Sequence, residues 1–234
     1  MPAKFYRILT YLAIITVVII AGLYFVLTPK NKNTNTAQTP HAGKIIATDT
    51  PAIASSTEKN IIAAVNPKKL IAEPIANALA RITKKPFGIH VSPGHSPVSP
   101  ERFTGYHTGV DFEAFASETD AIVPVYAICT GTLAIKETAR GYGGMAVERC
   151  QIGGQDMTVV YGHLKLTSIG AKVGEKLSGG EQLAILGKGY SAETDGERKH
   201  LHLGIHKGTI INTSGYVGSA AQLSGWIDVV QYLK

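Results

Sequence analysis

Residues 200–207, His-Leu-His-Leu-Gly-Ile-His-Lys, alternate polar or small side chains with aliphatic ones. Side chains two residues apart in a β-strand point to the same face of a sheet. A strand over this stretch would therefore project His200 and His202 to one face. Leu201 and Leu203 would enter the core from the other face. The stretch predicts a strand that carries two neighbouring imidazoles.

The chain from Pro86 onward continues in the same manner, with short runs rich in Val, Ile, Thr and Tyr between glycine turns such as 141–144. No long helical pattern separates these runs, which favours a mostly β domain with an antiparallel sheet over 86–234. Strands are predicted over 108–115, 122–136, 145–152, 156–164, 182–187 and 200–207.

Two further motifs place histidines on neighbouring predicted strands, at 107–111 (His-Thr-Gly-Val-Asp) and 161–164 (Tyr-Gly-His-Leu). Imidazole nitrogen and carboxylate oxygen are zinc ligands, and a catalytic zinc site keeps one position open for water. His107 and Asp111 share strand parity but would lie about 13 Å apart on an extended chain. The backbone must therefore bend near Gly109 if both residues are to reach one metal ion.

These three motifs, in this order on a glycine-punctuated β pattern, resemble the lysostaphin-like (LytM-type) zinc endopeptidases, which cut peptidoglycan peptides. The resemblance covers about residues 86–234. It implies that zinc is the cofactor and that its ligands are His107, Asp111 and His202. It also implies that His163 and His200 are catalytic histidines outside the metal shell, without deciding which of them takes the proton from water.

Other histidines and tyrosines carry less information. A single histidine in a β domain is usually an ordinary surface or core residue, and this is the expectation for His41, His90, His95 and His206. Some members of the family use a tyrosine near the oxyanion. Tyr106 and Tyr161 are candidates from their proximity to the motifs, but neither matches that role by pattern.

An uncharged stretch over residues 8–27, ILTYLAIITVVIIAGLYFVL, precedes the β region. Its 20 residues match a hydrocarbon core of about 30 Å. We expect a transmembrane anchor here, behind a short cytoplasmic tail of residues 1–7. A cleaved signal peptide is the alternative, but its apolar region would be about 7–15 residues long. Residues 28–85 are predicted to be a linker with short helices over 58–65 and 67–83.

The distribution of charge argues against nucleic acid as a partner. The net charge is +6, but residues 1–84 hold 10 Lys+Arg and 3 Asp+Glu, whereas residues 85–234 hold 13 and 14. The basic excess therefore lies beside the predicted anchor, and the larger C-terminal part has no surplus to neutralise phosphates. The sequence identifies no protein partner.

Two cysteines are too few for a disulfide-built scaffold. Cys129 and Cys150 fall on consecutive predicted strands whose hairpin would be centred near 139–140. They could therefore face each other and form a disulfide. Two buried free thiols are the alternative that the sequence leaves open.

The uncharged stretch 8–27 predicts a single-pass membrane protein, and the resemblance implies that its β domain is a zinc metalloendopeptidase acting on peptidoglycan. The domain would face the cell wall or periplasm, because that polymer lies outside the cytoplasmic membrane. The alternative is a catalytically silent adapter of the same fold that binds or activates other cell-wall hydrolases. Degenerate relatives of that kind usually lack ligands, so the full set of five residues favours an enzyme.

Overall fold

The computed structural model describes residues 70–234, which form a mostly β structure. The strands are β1 His90–Val91, β2 Gly105–His107, β3 Gly109–Glu113, β4 Pro124–Tyr126, β5 Gly131–Ala139, β6 Gly143–Ile152, β7 Gln155–Gly162, β8 Lys176–Leu177, β9 Gln182–Ile185, β10 His200–Lys207, β11 Tyr216–Val217 and β12 Trp226–Ile227. The helices are short: the 3-10 segments Ala78–Arg81, Ala116–Glu118, Leu166–Ser168, Ala192–Thr194 and Ala220–Gly225, and α1 at Val230–Leu233.

One sheet of seven strands organises the described residues. Six of its strands follow the order β12-β10-β7-β6-β5-β8, and β3 is the seventh. Strand β3 also pairs with β10, on the same edge as β12. The strand pairs of this sheet are antiparallel, which confirms the predicted sheet type. Two smaller sheets flank it, β1-β2-β11 and β4-β9.

The alternation over 200–207 has the predicted consequence. On β10, the side chains of Leu201, Leu203 and Ile205 are buried in the main hydrophobic core. His200 and His202 of the same strand point to the opposite face, which carries Asp111 and Glu113 of β3. The sheet therefore separates an apolar core on one face from a polar cleft on the other.

The predicted strand over 122–136 is wrong as a single strand, because the chain turns away between β4 and β5. Strand β4 pairs with β9 in its own small sheet, whereas β5 pairs with β6. The connecting residues Ala127 and Ile128 are buried although they belong to no strand. An apolar run indicates burial rather than a strand as such. Here the run continues through a turn that hydrophobicity alone does not mark.

The packed unit extends upstream of residue 86. Ile71, Ile75 and Ala78 are buried in the same core as the sheet. The helix predicted over 67–83 is wrong in its described part, where only the 3-10 turn Ala78–Arg81 forms. Pro74 removes a backbone donor in the middle of this segment, which disfavours a continuous helix.

The predicted anchor over 8–27 and the predicted helix over 58–65 lie outside the described residues. Within residues 70–234, no helix is both long enough and apolar enough to cross a membrane.

A disulfide joins Cys129 and Cys150, which confirms the first of the two alternatives for these residues. It closes the base of the β5–β6 hairpin, since Cys150 pairs with Gly131 in the ladder. The two cysteines are 21 residues apart, and in the chain-entropy model such a crosslink stabilises the fold by about 3 kcal/mol.

Glu148 is an unusual core residue, because its carboxyl group is fully buried on β6. Its Oε2 accepts a hydrogen bond from the Tyr161 hydroxyl at 2.7 Å, and its Oε1 has no partner among the described residues. Burial raises the pKa of Glu148 to about 7, although the bond from Tyr161 opposes that shift. The folded protein thus holds a proton that the unfolded chain releases at lower pH.

The substitution Glu148→Gln is expected to make the free energy of unfolding less dependent on pH. Below the ordinary glutamate pKa, both states of the wild type are protonated, so burial carries no ionic cost. Between there and about pH 7, only the unfolded state releases the proton, and wild-type stability falls as pH rises. By pH 8 the wild type should have lost about 3 kcal/mol that Glu148→Gln retains.

Urea denaturation of the full chain in detergent, at pH values from 4 to 8, measures this difference. Glu137→Gln, on the exposed part of β5, is the matched control and should keep the wild-type pH dependence. A wild type and a Glu148→Gln variant with parallel stability curves would contradict the prediction.

Candidate metal centre and cleft

The structure brings the three predicted zinc ligands together. His107 Nε2 lies 3.0 Å from His202 Nδ1, and Asp111 Oδ1 lies 3.2 Å from each of these nitrogens. All three residues are buried. Their donor atoms form a nearly equilateral triangle.

Strand pairing positions two corners of this triangle. In the antiparallel ladder of β3 with β10, Asp111 is the direct partner of His202. His107 arrives from β2, which belongs to a different sheet, because the chain leaves one sheet and enters the other at Thr108. The predicted bend near Gly109 is confirmed.

Gly109 is required by close packing. A Cβ atom at this position would lie 2.5 Å from the carbonyl oxygen of Leu203 and 2.9 Å from the His202 ring. Any side chain here would therefore displace β10 or the imidazole that forms one corner of the triangle.

The donor set fits zinc in distance. Ligands about 2.0–2.1 Å from a tetrahedral zinc ion are themselves about 3.3 Å apart. The observed separations of 3.0–3.2 Å need only a small expansion to reach that value.

The donor set also fits zinc in protonation. Burial lowers the pKa of His202 to about 4, with Asp111 opposing the shift, so this imidazole is neutral at pH 7 and has a free lone pair. Burial alone would raise the pKa of Asp111, but the neighbouring His200 and His107 hold it well below its usual range. One ionised carboxylate and neutral imidazole are the forms that bind the metal.

A backbone contact orients the first histidine. His107 Nδ1 lies 3.2 Å from the carbonyl oxygen of Pro86, to which it donates when neutral. This hydrogen bond leaves the lone pair of Nε2 directed at the triangle. Such outer contacts fix the tautomer of a metal-binding histidine.

The two predicted outer histidines lie beside the triangle, with ring centroids 4.1 Å apart. His200 Nδ1 is 2.9 Å from the carbonyl oxygen of Arg198, and its Nε2 is 3.3 Å from Asp111 Oδ2. His163 Nδ1 is 3.2 Å from the carbonyl oxygen of Thr194. Nε2 of His163 is thus left for proton transfer, whereas Nε2 of His200 faces the Asp111 carboxylate.

His163 also has an unusual backbone and an unusual acidity. Its φ of 63° lies in the left-handed region, where a residue other than glycine is uncommon, and it directly follows the end of β7. Burial and the adjacent His200 hold the pKa of His163 well below its usual range. The ring is therefore neutral at pH 7 and able to accept a proton.

A cavity of about 320 Å³ opens over this group. Asp111, His163, His200 and His202 line it together with aromatic and charged residues of the rim: Phe103, Tyr142, Glu197, Arg198 and Tyr216. Two of the three predicted ligands and both outer histidines thus line one cleft, and His107 lies buried directly beside it.

Tyr142 is a cleft residue that the sequence analysis missed. Its ring centroid lies 5.2 Å from that of His202 and 6.0 Å from that of His163, and its hydroxyl donates to the carbonyl oxygen of Thr213 at 2.9 Å. Burial raises the pKa of Tyr142, so the hydroxyl keeps its proton and remains a donor. The glycine turn 141–144 was the available signal, because it carries this ring on the β5–β6 hairpin.

Neither of the two tyrosines suggested by the motifs occupies the cleft. The Tyr161 hydroxyl donates to Glu148 in the core, on the other side of the sheet. Tyr106 packs edge-on against His90, with centroids 4.7 Å apart.

The segment before residue 86 contributes to the cleft wall. Lys85, only 1% exposed, pairs with Glu101 at 2.6 Å and donates to the Tyr216 hydroxyl at 3.0 Å. The Tyr216 ring in turn lies 5.1 Å from that of His107. This part of the predicted linker therefore supports the site.

The remaining described histidines do not line the cavity. His206 packs against Trp226, with centroids 4.9 Å apart, and His95 closes a turn with Ser92. His90 lies against Tyr106, and His41 is outside the described residues.

The comparison with protein families agrees with the motifs. Residues 105–214 match the model of peptidase family M23. The match confirms the resemblance to the lysostaphin-like zinc endopeptidases, and the matched range includes all five predicted site residues.

Several solved structures are similar to this chain. LytU is 22% identical with a TM-score of 0.43, over 65% of this chain and 83% of LytU. The catalytic domain of lysostaphin from Staphylococcus simulans is 20% identical with a TM-score of 0.46, over 69% of this chain and 98% of that domain. A zinc-containing peptidase from Vibrio cholerae is 20% identical with a TM-score of 0.37, over 57% of this chain and 35% of that protein. No curated protein matches the chain.

The geometry of the donor triangle predicts about one zinc ion per chain, held by these three residues. His107→Ala or Asp111→Ala should remove the metal, because two remaining ligands cannot close the site. His163→Ala should keep it. Metal analysis of the full chain in detergent, after dialysis against trace zinc, measures the stoichiometry.

His90→Ala is the matched control, since this histidine is exposed and lies outside the cleft. Full zinc content in both ligand variants would contradict the assignment of His107 and Asp111.

Proposed function

We propose that this chain is a membrane-anchored zinc endopeptidase that hydrolyses peptide bonds in peptidoglycan stems or cross-bridges. One observation carries the proposal: the donor atoms of His107, Asp111 and His202 converge within the residues that match peptidase family M23, at the base of a cleft. The substrate class rests on the family resemblance of the motifs.

The bound metal would polarise the scissile carbonyl and lower the pKa of a water molecule from 15.7 to about 7. The residues of the chain supply the proton transfers. His163 and His200 each have Nδ1 engaged with a backbone carbonyl, so proton transfer by either ring uses Nε2. One accepts the proton of the attacking water and the other protonates the leaving amine.

The Tyr142 hydroxyl is placed to stabilise negative charge on the substrate. It retains its proton at neutral pH and lies in the cleft near both His163 and His202. Turning this donor from Thr213 to an oxyanion would exchange one hydrogen bond for a stronger, charge-assisted one.

The proposed location is the outer face of the cytoplasmic membrane, with residues 8–27 as the anchor and the peptidase domain toward the cell wall or periplasm. Peptidoglycan lies on that side. The disulfide between Cys129 and Cys150 supports the location, because disulfides persist mainly in oxidising compartments.

We expect the full chain, loaded with zinc in detergent, to release peptides from purified peptidoglycan. His163→Ala should retain zinc but lose hydrolysis by a factor of about 10²–10⁴, the usual contribution of a positioned acid or base. Chromatography of the soluble products measures both. Wild-type protein that binds zinc and releases no peptides would favour the adapter function instead.

The orientation is testable in spheroplasts of cells that express the chain. A membrane-impermeant protease should remove the peptidase domain in intact spheroplasts, and a cytoplasmic marker protein should survive the same treatment. Protection of the domain until the membrane is permeabilised would overturn the outward orientation.

A further inference from the structure

A buried ionic cluster lies directly behind the metal-binding carboxylate. Arg198 and Glu113 are each 8% exposed. The Nε of Arg198 donates to Glu113 Oε2 at 2.8 Å, and its Nη2 donates to Asp111 Oδ2 at 2.7 Å. The guanidinium therefore bridges two carboxylates inside the protein.

Strand parity places these residues on the cleft face. Asp111 and Glu113 are two positions apart on β3, and Glu113 is the ladder partner of His200. Arg198 precedes β10 by two residues and continues the same face as His200 and His202.

The two carboxylate oxygens of Asp111 have different partners. Oδ1 is a corner of the donor triangle. Oδ2 accepts from Arg198, so it is turned away from the other two corners. A carboxylate held in this way presents one oxygen to a metal in a fixed direction.

Arg198 also contacts one of the outer histidines. Its carbonyl oxygen lies 2.9 Å from His200 Nδ1, while Nε2 of the same ring lies 3.3 Å from Asp111 Oδ2. Oδ2 of Asp111 therefore contacts the guanidinium and the ring of His200 at the same time.

We propose that Arg198, held in place by Glu113, is a positioning residue that fixes Asp111 for binding through Oδ1 alone. This inference rests on the proposed zinc site. Glu113 contributes by binding the guanidinium through two of its nitrogens, which prevents its rotation.

A role in stability alone does not account for the cluster. Burying a guanidinium and two carboxylates carries a desolvation cost that ion pairing often fails to exceed, so an apolar cluster of similar volume would serve a purely structural purpose as well. A positioning role predicts an effect on zinc affinity that is separate from any effect on the stability of the metal-free fold.

The test uses the full chain in detergent, stripped of metal and titrated with zinc against a chromophoric chelator. Loss of an outer contact of this kind typically weakens metal affinity about 10–100-fold, and this is expected for Arg198→Met. Arg198→Lys keeps the charge but not the planar fork, and its affinity should be intermediate. Glu113→Gln should weaken zinc binding about 3–10-fold, less than loss of the direct contact.

A second readout reports the coordination itself. The visible absorption of the cobalt-substituted chain should change in Arg198→Met and in Glu113→Gln, because Asp111 is no longer restricted to one oxygen. Arg149→Met, an exposed arginine on β6, is the matched control and should leave both the zinc affinity and the cobalt spectrum unchanged.

The outcomes separate the two proposals. If the wild type binds zinc and the variants bind it within twofold, with only the metal-free melting temperature lowered, Arg198 is structural and the positioning role is overturned. If the wild type binds no zinc, the proposed function falls and the positioning role falls with it. If Arg198→Met does not fold by circular dichroism, the conservative Glu113→Gln variant decides by the same criteria.

Discussion

The register of β3 against β10 is the constraint on which the site depends. It sets Asp111 opposite His202 and Glu113 opposite His200, so a carboxylate and an imidazole meet at each of two successive positions on one face. A slip of β3 by one residue would send Asp111 and Glu113 to the core face and bring Phe112 into the cleft. The apolar residues between them therefore specify the chemistry, since burying Leu201, Leu203 and Phe112 selects the register.

The same arrangement concentrates charge where water is excluded. Asp111, Glu113 and Arg198 lie together beside the imidazoles, and each of these three charged groups has a partner of opposite sign or a hydrogen-bond donor. Protein groups rather than solvent stabilise these charges. The orientations of the charged side chains are therefore fixed before a substrate binds. This preorganisation is the usual source of electrostatic catalysis in a cleft.

Local patterns in the sequence predicted much of the site. The period of two over 200–207 assigned the faces of β10, and the three motifs identified the residues that converge around the donor triangle. These features depend on neighbours within a few positions along the chain. The mostly β character of the domain and its antiparallel sheet followed from the spacing of apolar runs and glycine turns for the same reason.

Features that depend on distant contacts were not predictable in this way. The glycine turn 141–144 marks a hairpin, but only the contacts of the folded chain show that this hairpin brings Tyr142 to the cleft. Arg198 and Glu113 are 85 positions apart and become neighbours through the pairing of β3 with β10. The segment 70–85 was predicted to belong to a linker with a short helix over 67–83, yet Ile71 and Ile75 fill the core.

The close approach at Gly109 gives the first motif a different meaning. The glycine between His107 and Asp111 supplies no ligand atom. A side chain in its place would collide with the His202 ring and with the carbonyl oxygen of Leu203. A search for similar sites that scores only coordinating residues would accept chains in which a methyl group at this position makes these collisions. The absent side chain is as much a part of the motif as the imidazole and carboxylate on either side of it.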